Sequence, residues 1–292
     1  MTPLVGLVDW RLPATGPAAV TLAARAGADG VQVDLGGPGR ADPIDGPGRL
    51  AAVRAASSAH GVPVLAVSAN TLNDIGLTAP DGSADGARVR GVLARLLDAA
   101  EALGAGLVLV PSFRRSAIDG PAALHRTAEV LSRAAAEAAA RGLLLAGENV
   151  LPPAAAVDLV TRVGSPAFRL LLDTYNPREA GLDTTELVAA TAPFLADQIH
   201  LKDGPAGPGG TPLLGDGDGA LDTTLDAVRR HRVHPYAVVL ENDHRTTDPR
   251  LLAEDLRRAR RHAAALAPAA TTATADDPAR TPPARATERT ST

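Results

Sequence analysis

The sequence predicts an α/β protein of the (β/α)8 TIM-barrel class, and three observations carry that expectation. Short apolar runs alternate eight times with longer Ala/Leu/Arg segments of helical period, the pattern of βα units around a parallel sheet. The last four runs finish in polar residues, LLLAGEN, RLLLDTYN, QIHLKD and AVVLEN, and barrel strands carry their chemistry at that end. The 292 residues suit one barrel of about 250 residues plus a tail, and no Gly-rich phosphate turn follows the first run, as an open dinucleotide-binding sheet would require.

Taken in order, the expected strands are Leu4 to Val8, Gly30 to Asp34, Val64 to Ser68, Leu107 to Val110, Leu143 to Gly147, Arg169 to Asp173, Gln198 to Leu201 and Ala237 to Glu241. Their nearly continuous Val/Leu/Ile content is that of strands covered on both faces. Helices are expected over Pro17 to Ala26, Arg49 to His60, Ala84 to Leu103, Pro121 to Ala140, Ala154 to Arg162, Thr184 to Thr191, Thr223 to His231 and Pro249 to Leu266. Gly27, Gly61, Gly104, Gly142 and Gly164 stand where helices end and a left-handed residue is wanted. Asp183, Asp222 and Asp248 stand at N-cap positions. From about Ala267 the chain loses periodicity and turns to Thr, Ala, Pro, Asp and Arg, so residues 1–266 read as the barrel and 267–292 as a disordered tail. The Gly/Pro-rich stretch from Gly204 to Gly219 follows the seventh strand and is expected to cover a ligand.

Composition narrows the function. Hydrophobic residues make up 45% of the chain and aromatics only 2%, so Ala, Val and Leu must fill the core. A net charge of -4 leaves no basic footprint for a row of phosphates, which argues against nucleic acid as a partner. The absence of cysteine excludes disulfides, thiolate metal sites and a Cys nucleophile. No apolar run approaches the roughly 20 residues that cross a bilayer, and Met1 to Trp10 has no basic leader. A cytoplasmic protein without a membrane partner is the expectation. Lys202 is the only lysine in an arginine-rich chain, which draws attention to its position.

Glu148, Asp173, His200 and Glu241 reach one rim on four consecutive strands. Three carboxylates crowded without a counter-charge repel one another and protonate; one divalent metal ion relieves this. Three oxygen donors and one imidazole suit Mn²⁺, with Mg²⁺ or Co²⁺ also compatible, whereas a structural zinc site wants thiolates or more imidazoles. Four protein ligands leave room for water or a bidentate substrate. Singly, each acidic residue could cap a strand or pair with an arginine; together, at matching strand ends, they argue for the ion. Trp10, Asp34 and Asn70 end the first three strands and are expected in the substrate wall, Trp10 either stacking on a sugar face or filling the barrel mouth. His244, just beyond Glu241, is a candidate for support of the site, and Arg114 and Arg115 either receive an anionic group or are solvated. His125, His231, His234 and His262 fall on helices or turns and read as surface or packing residues.

These motifs resemble the xylose isomerase-like TIM barrels, a family that includes sugar-phosphate isomerases and epimerases, ketose 3-epimerases, hydroxypyruvate isomerase and inosose dehydratase. The resemblance runs over residues 4 to 265 and rests on GEN at Glu148, LLDTYNP at Asp173, IHLKD at His200 and LEN at Glu241. It implies that these four residues bind the metal and that Glu148 and Glu241 form an acid/base pair on either face of the substrate. Moving a proton at a carbon beside a carbonyl passes through an enediolate, whose negative oxygen a metal stabilises. Return of the proton on the same face isomerises; return on the opposite face epimerises. Within the resemblance, Lys202 and Asp203 continue the HLKD strand towards the substrate, with Lys202 reaching a hydroxyl, carboxylate or phosphate. Asn176 stands in the substrate site where many relatives carry histidine. LGDGDGALD departs from the glycine-acid turn usual before the next helix, with Asp216 and Asp218 in the loop.

The expected function is therefore a metal-dependent isomerase or epimerase acting on a small sugar, sugar acid or polyol-derived ketone, and a homodimer is compatible with it. A dehydratase of the inosose or dehydroshikimate type is the nearest rival, because the same enediolate can expel a neighbouring hydroxyl. Metal-dependent phosphoester cleavage, as in DNA repair endonucleases on this barrel, calls for more strand-end histidines than His200 and a less acidic chain. A barrel that has kept the site only to bind a ligand is the non-enzymatic alternative.

Overall fold

A buried extended run must find partners for its N–H and C=O groups, and here each run finds them in its sequence neighbours. The computed structural model describes residues 1–207 and 210–268. Strands β1 (Leu4–Val8), β2 (Gly30–Asp34), β3 (Val64–Ser68), β4 (Leu107–Pro111), β5 (Leu144–Glu148), β6 (Phe168–Asp173), β7 (Leu195–Leu201) and β8 (Ala237–Leu240) pair in sequence order, and β8 closes on β1. Every pairing is parallel. The fold is a (β/α)8 barrel, as the alternation predicts.

The helices are α1 (Pro17–Ala26), α2 (Arg49–His60), α3 (Leu72–Ile75), α4 (Ala84–Leu103), α5 (Pro121–Ala140), α6 (Pro153–Val163), α7 (Asn176–Glu179), α8 (Thr184–Thr191), α9 (Leu221–Arg230) and α10 (Pro249–Leu266). Two of them, α3 and α7, lie in the loops after β3 and β6 and were not anticipated, because one turn is too short to display a hydrophobic period. Asp183 caps α8 by accepting from the amides of Thr185 and Glu186, and Asp248 caps α10 through Arg250. Asp222 is not a cap: α9 starts at Leu221 after Ala220, and Asp222 lies in its first turn, where its charge still suits the helix N-terminus.

The core has two shells. Between strands and helices lies a continuous aliphatic layer that includes Val33, Leu96, Leu131, Leu159, Val228 and Leu256. Inside the barrel the filling is smaller, with Ala66, Leu109, Ala146, Leu171 and Ala196 in one cluster and Val8, Leu65, Ala237 and Val239 in another. A methyl group at Gly6 or Gly30 would come within 2.6 Å of the Leu65 side chain, so two strands surrender a Cβ to admit one leucine.

Two pairings are irregular. Val31 opposes Val64 but Gln32 opposes Ala66, which leaves Leu65 as an extra residue on β3. Leu170 opposes Leu195 and Leu172 opposes Ile199, so β7 also carries surplus residues before Ile199. Such bulges re-aim groups beside active sites. The segment expected to be a disordered tail lies, from residue 269 onward, outside the described residues. Among the described residues no helix is long and apolar enough to cross a membrane.

Candidate metal centre and active site

Parallel strands buried on both faces admit polar side chains chiefly at their C-terminal ends, and four of those ends converge. Glu148 ends β5 and Asp173 ends β6, while His200 on β7 is paired in register with Asp173. Glu241 follows β8, its amide bonded to the Leu201 carbonyl at 2.9 Å. All four side chains are buried, and one donor atom from each lies within 4.8 Å of the other three. His200 Nδ1 is 3.4 Å from Glu241 Oε2 and 3.8 Å from Glu148 Oε2.

The remaining atoms of the same side chains are already engaged. Trp10 Nε1 donates to Glu241 Oε1 at 2.8 Å, and Asn176 Nδ2 donates to Glu148 Oε1 at 2.9 Å. Asp173 Oδ1 accepts from the amides of Tyr175 and Asn176. In contrast, Asp173 Oδ2, His200 Nδ1 and Glu241 Oε2 are buried with no hydrogen-bond partner. An unsatisfied buried polar atom costs about 1–3 kcal/mol, and three converging ones share a remedy in a single cation. Carboxylate oxygens with one imidazole suit Mn²⁺ or Mg²⁺, so the residues present fit a divalent ion.

Without a cation, Glu148 and His200 favour their protonated forms near neutral pH. Burial, reinforced by the charge of Glu241, pushes the Glu148 carboxyl up to about 8. Burial also pushes Asp173 up to about 6 against the opposing charge of Lys202. Burial disfavours the His200 imidazolium, but Glu241, Glu148 and Asp173 outweigh it and push its pKa up to about 9. Burial opposes ionisation of Glu241 too, yet His200, Lys202 and Arg11 hold it well below the usual carboxylate range. Metal binding must expel the protons held by its ligands.

Above this cluster opens a pocket of about 630 Å³. Trp10, Asn70, Asn176 and Lys202 line it, and Arg11, Arg40, Arg114 and Arg245 stand around it. Lys202 Nζ donates to Asn176 Oδ1 at 2.7 Å, so lysine, asparagine and Glu148 form one chain. Burial disfavours the Lys202 ammonium, and the charges of Asp173 and Glu241 more than restore it.

Other candidates are placed elsewhere. Asp203 was expected at the substrate, but it is buried behind the pocket. Its two oxygens accept from the amides of Gly204, Gly215, Gly217 and Gly219, and a Cβ at Gly217 would come within 2.4 Å of that carboxylate. The described residues of the Gly204–Gly219 loop therefore wrap around Asp203, and none of them lines the pocket. Asp34 is likewise buried, accepting from the Asn70 amide at 3.0 Å and holding that residue in the wall. Arg115 turns to Asp85 and the Asp74 carbonyl. His244 ties its loop to α10 through Asp255 at 3.0 Å.

Further residues around the site differ in how far the sequence marks them. Arg11, Arg40 and Arg245 come from three different loops, and nothing local distinguishes them from other surface arginines. Gln32 and Gln198 did carry a signal, since each interrupts an apolar strand that the barrel buries.

A family model described as xylose isomerase-like TIM barrel matches residues 20–262. A 2-epi-5-epi-valiolone 7-phosphate 2-epimerase from an Actinoplanes species is 53% identical over 263 residues, covering 90% of this chain and 96% of that protein. Among solved structures, D-psicose 3-epimerase with D-tagatose from Clostridium cellulolyticum aligns with a TM-score of 0.71 at 15% identity, covering 90% of this chain and 99% of that one. A xylose isomerase domain protein from Planctomyces limnophilus aligns with a TM-score of 0.72 at 18% identity, covering 91% and 98%.

Proposed function

The chain belongs to the xylose isomerase-like TIM barrel family and is an isomerase or epimerase of it, and on that premise we propose that it inverts a carbon beside the ketone of a phosphorylated polyol or cyclitol. The observation that carries this reading is the pair Glu148 and Glu241 at the pocket floor. They come from β5 and from the end of β8, flank His200, and each has one oxygen oriented by a donor from the pocket wall.

Glu148, Asp173, His200 and Glu241 would hold a divalent ion, whose charge stabilises the negative oxygen that develops when a C–H bond beside a carbonyl ionises. In the reaction one glutamate takes the proton, and the C–H electron pair moves into the C–C bond as the carbonyl oxygen gains charge. The other glutamate, recharged with a proton from solvent, delivers it to the opposite face, and the carbonyl reforms with the configuration inverted, while the abstracted proton is released to solvent from the first glutamate. Positioned carboxylates of this kind contribute on the order of 10²–10⁴ in rate. Lys202 keeps its charge and, beyond its bond to Asn176, has donors left for a substrate hydroxyl.

The arginines support the phosphate. Arg11, Arg40, Arg114 and Arg245 border the pocket, whose acidic lining is Glu179 together with Glu148 and Glu241, and guanidinium groups match phosphate geometry. The volume lies within the range of about 300–1,000 Å³ usual for small-molecule sites.

The test uses the substrate of the 53%-identical relative, 2-epi-5-epi-valiolone 7-phosphate, in deuterated water. The expected result is a C2 epimer carrying one solvent deuteron, lost when Glu148 or Glu241 is replaced by Gln. Release of water with a conjugated enone absorbing in the ultraviolet, or no exchange at all, would refute it.

A further inference from the structure

His200 has two ring nitrogens, and only one faces the carboxylates. The other, Nε2, lies 2.8 Å from Gln32 Oε1 inside the barrel. Gln32 Nε2 donates in turn to Gln198 Oε1 at 2.8 Å, and Gln198 Nε2 donates to the backbone carbonyl of Leu65 at 2.8 Å. Gln32, Gln198 and His200 are all buried, so water does not compete for these bonds.

The direction of the chain is set at its far end. A backbone carbonyl can only accept, so Gln198 must turn its NH2 to Leu65 and its oxygen to Gln32. Gln32 must then offer its NH2 to Gln198, which leaves its oxygen for His200. That oxygen accepts only from a protonated Nε2. The carbonyl at the origin belongs to the surplus residue of the β3 bulge, where Gln32 opposes Ala66 and Leu65 has no partner on β2. Gln198 lies in the irregular stretch of β7. Two departures from regular pairing thus bring the pieces together, and the missing Cβ atoms of Gly6 and Gly30 make the room for Leu65.

We infer that Gln32, oriented by Gln198 and the Leu65 carbonyl, is a positioning residue that locks His200 as the Nε2–H tautomer and so dedicates its Nδ1 lone pair to the metal. The inference rests on the proposed metal site. His200 Nδ1, the atom left free by this lock, is one of the buried atoms without a partner, and the partners of metal-bound histidines ordinarily act by fixing ring and tautomer.

The experiment measures Mn²⁺ affinity by calorimetry for the wild type, Gln32→Met, Gln32→Glu and Gln198→Met, with long-range ¹H–¹⁵N spectra of the histidine rings in the Zn²⁺-loaded proteins. Gln32→Met removes the acceptor at near-constant volume and is expected to weaken Mn²⁺ binding 10- to 100-fold, as loss of such a partner typically does. Gln32→Glu restores an acceptor and is expected to bind within a few-fold of wild type, an ordering that a merely structural role for an uncharged core residue would reverse. Gln198→Met, which frees the Gln32 amide to turn over, is expected to fall between the two. The wild-type spectrum should place the His200 proton on Nε2, a readout that depends on no variant folding.

A proton on Nδ1 in that spectrum overturns the inference, as does wild-type Mn²⁺ affinity in Gln32→Met or equal weakness in Gln32→Glu. Failure of the wild type to bind either ion removes the metal reading and this inference together. Metal binding that ignores Gln32 removes the inference alone.

Discussion

Trp10 donates its indole N–H to Glu241 Oε1 at 2.8 Å, which joins the rim of the first strand to the carboxylate beyond the last. The ring also lies tilted against His200, with centroids 6.2 Å apart. Trp10 thus does more than fill the barrel mouth: it holds one oxygen of Glu241 so that the other faces the cluster. Hydrogen bonds to charged groups contribute about 1.5–3 kcal/mol, so Trp10→Phe should lower kcat/KM roughly 10- to 100-fold in steady-state assays. A change under twofold would leave Trp10 as packing only.

Metal binding should strengthen with pH. Protons sit on Glu148 up to about 8 and on His200 up to about 9, and an ion must displace both. Apparent Mn²⁺ affinity is expected to rise from pH 6 to 9, with net proton release when calorimetry is repeated in buffers of different ionisation enthalpy. An affinity independent of pH over that window would contradict the proton-loaded cluster.

The metal-free protein should show the opposite trend in stability. Glu148 is raised from 4.5 to about 8, Asp173 from 3.8 to about 6 and His200 from 6.5 to about 9. Each raised group binds its proton more tightly in the folded state, so its contribution is present at low pH and is lost as pH climbs through the folded value. Glu241, shifted downward, changes nothing above pH 5. Thermal midpoints measured in EDTA should therefore fall between pH 5 and 9, and saturating Mn²⁺ should reduce or reverse the fall.

Asp203→Asn tests a role in loop architecture against one in substrate contact. The carboxylate serves four amides; an amide side chain turns an NH2 towards some of them and leaves donors unpaired. A loss of about 2–3 kcal/mol, or roughly 5–10 °C in the midpoint, is expected, with Mn²⁺ affinity unchanged. An unaltered melting curve with a raised KM would return Asp203 to the substrate.

Arg114 is expected to separate phosphorylated from plain substrates. Its φ of +50° is uncommon for a non-glycine residue, and its guanidinium reaches the pocket while pairing with Asp74 at 2.8 Å. Arg114→Ala should raise KM for the phosphorylated ketone about tenfold, a loss of about 1.4 kcal/mol, and leave the dephosphorylated ketone unaffected. Equal effects on both would place the phosphate elsewhere.

The amino-acid sequence by itself determined the barrel and the rim. Alternation of apolar runs and helical segments is local, spanning a few residues at a time, so it is legible without knowing what packs on what. The strand ends of Glu148, Asp173, His200 and Glu241 were legible for the same reason, because a strand buried on both faces concentrates its polar residues where it emerges. Tertiary structure alone decided the rest. Asp203 adjoins Lys202 in the chain, yet one lines the pocket and the other is spent on loop amides, since loop packing rather than strand alternation sets their directions. Gln32 and Gln198 lie 166 residues apart and meet only because closure of the barrel, with its two bulges and two absent methyl groups, brings them across the lumen to the back of His200.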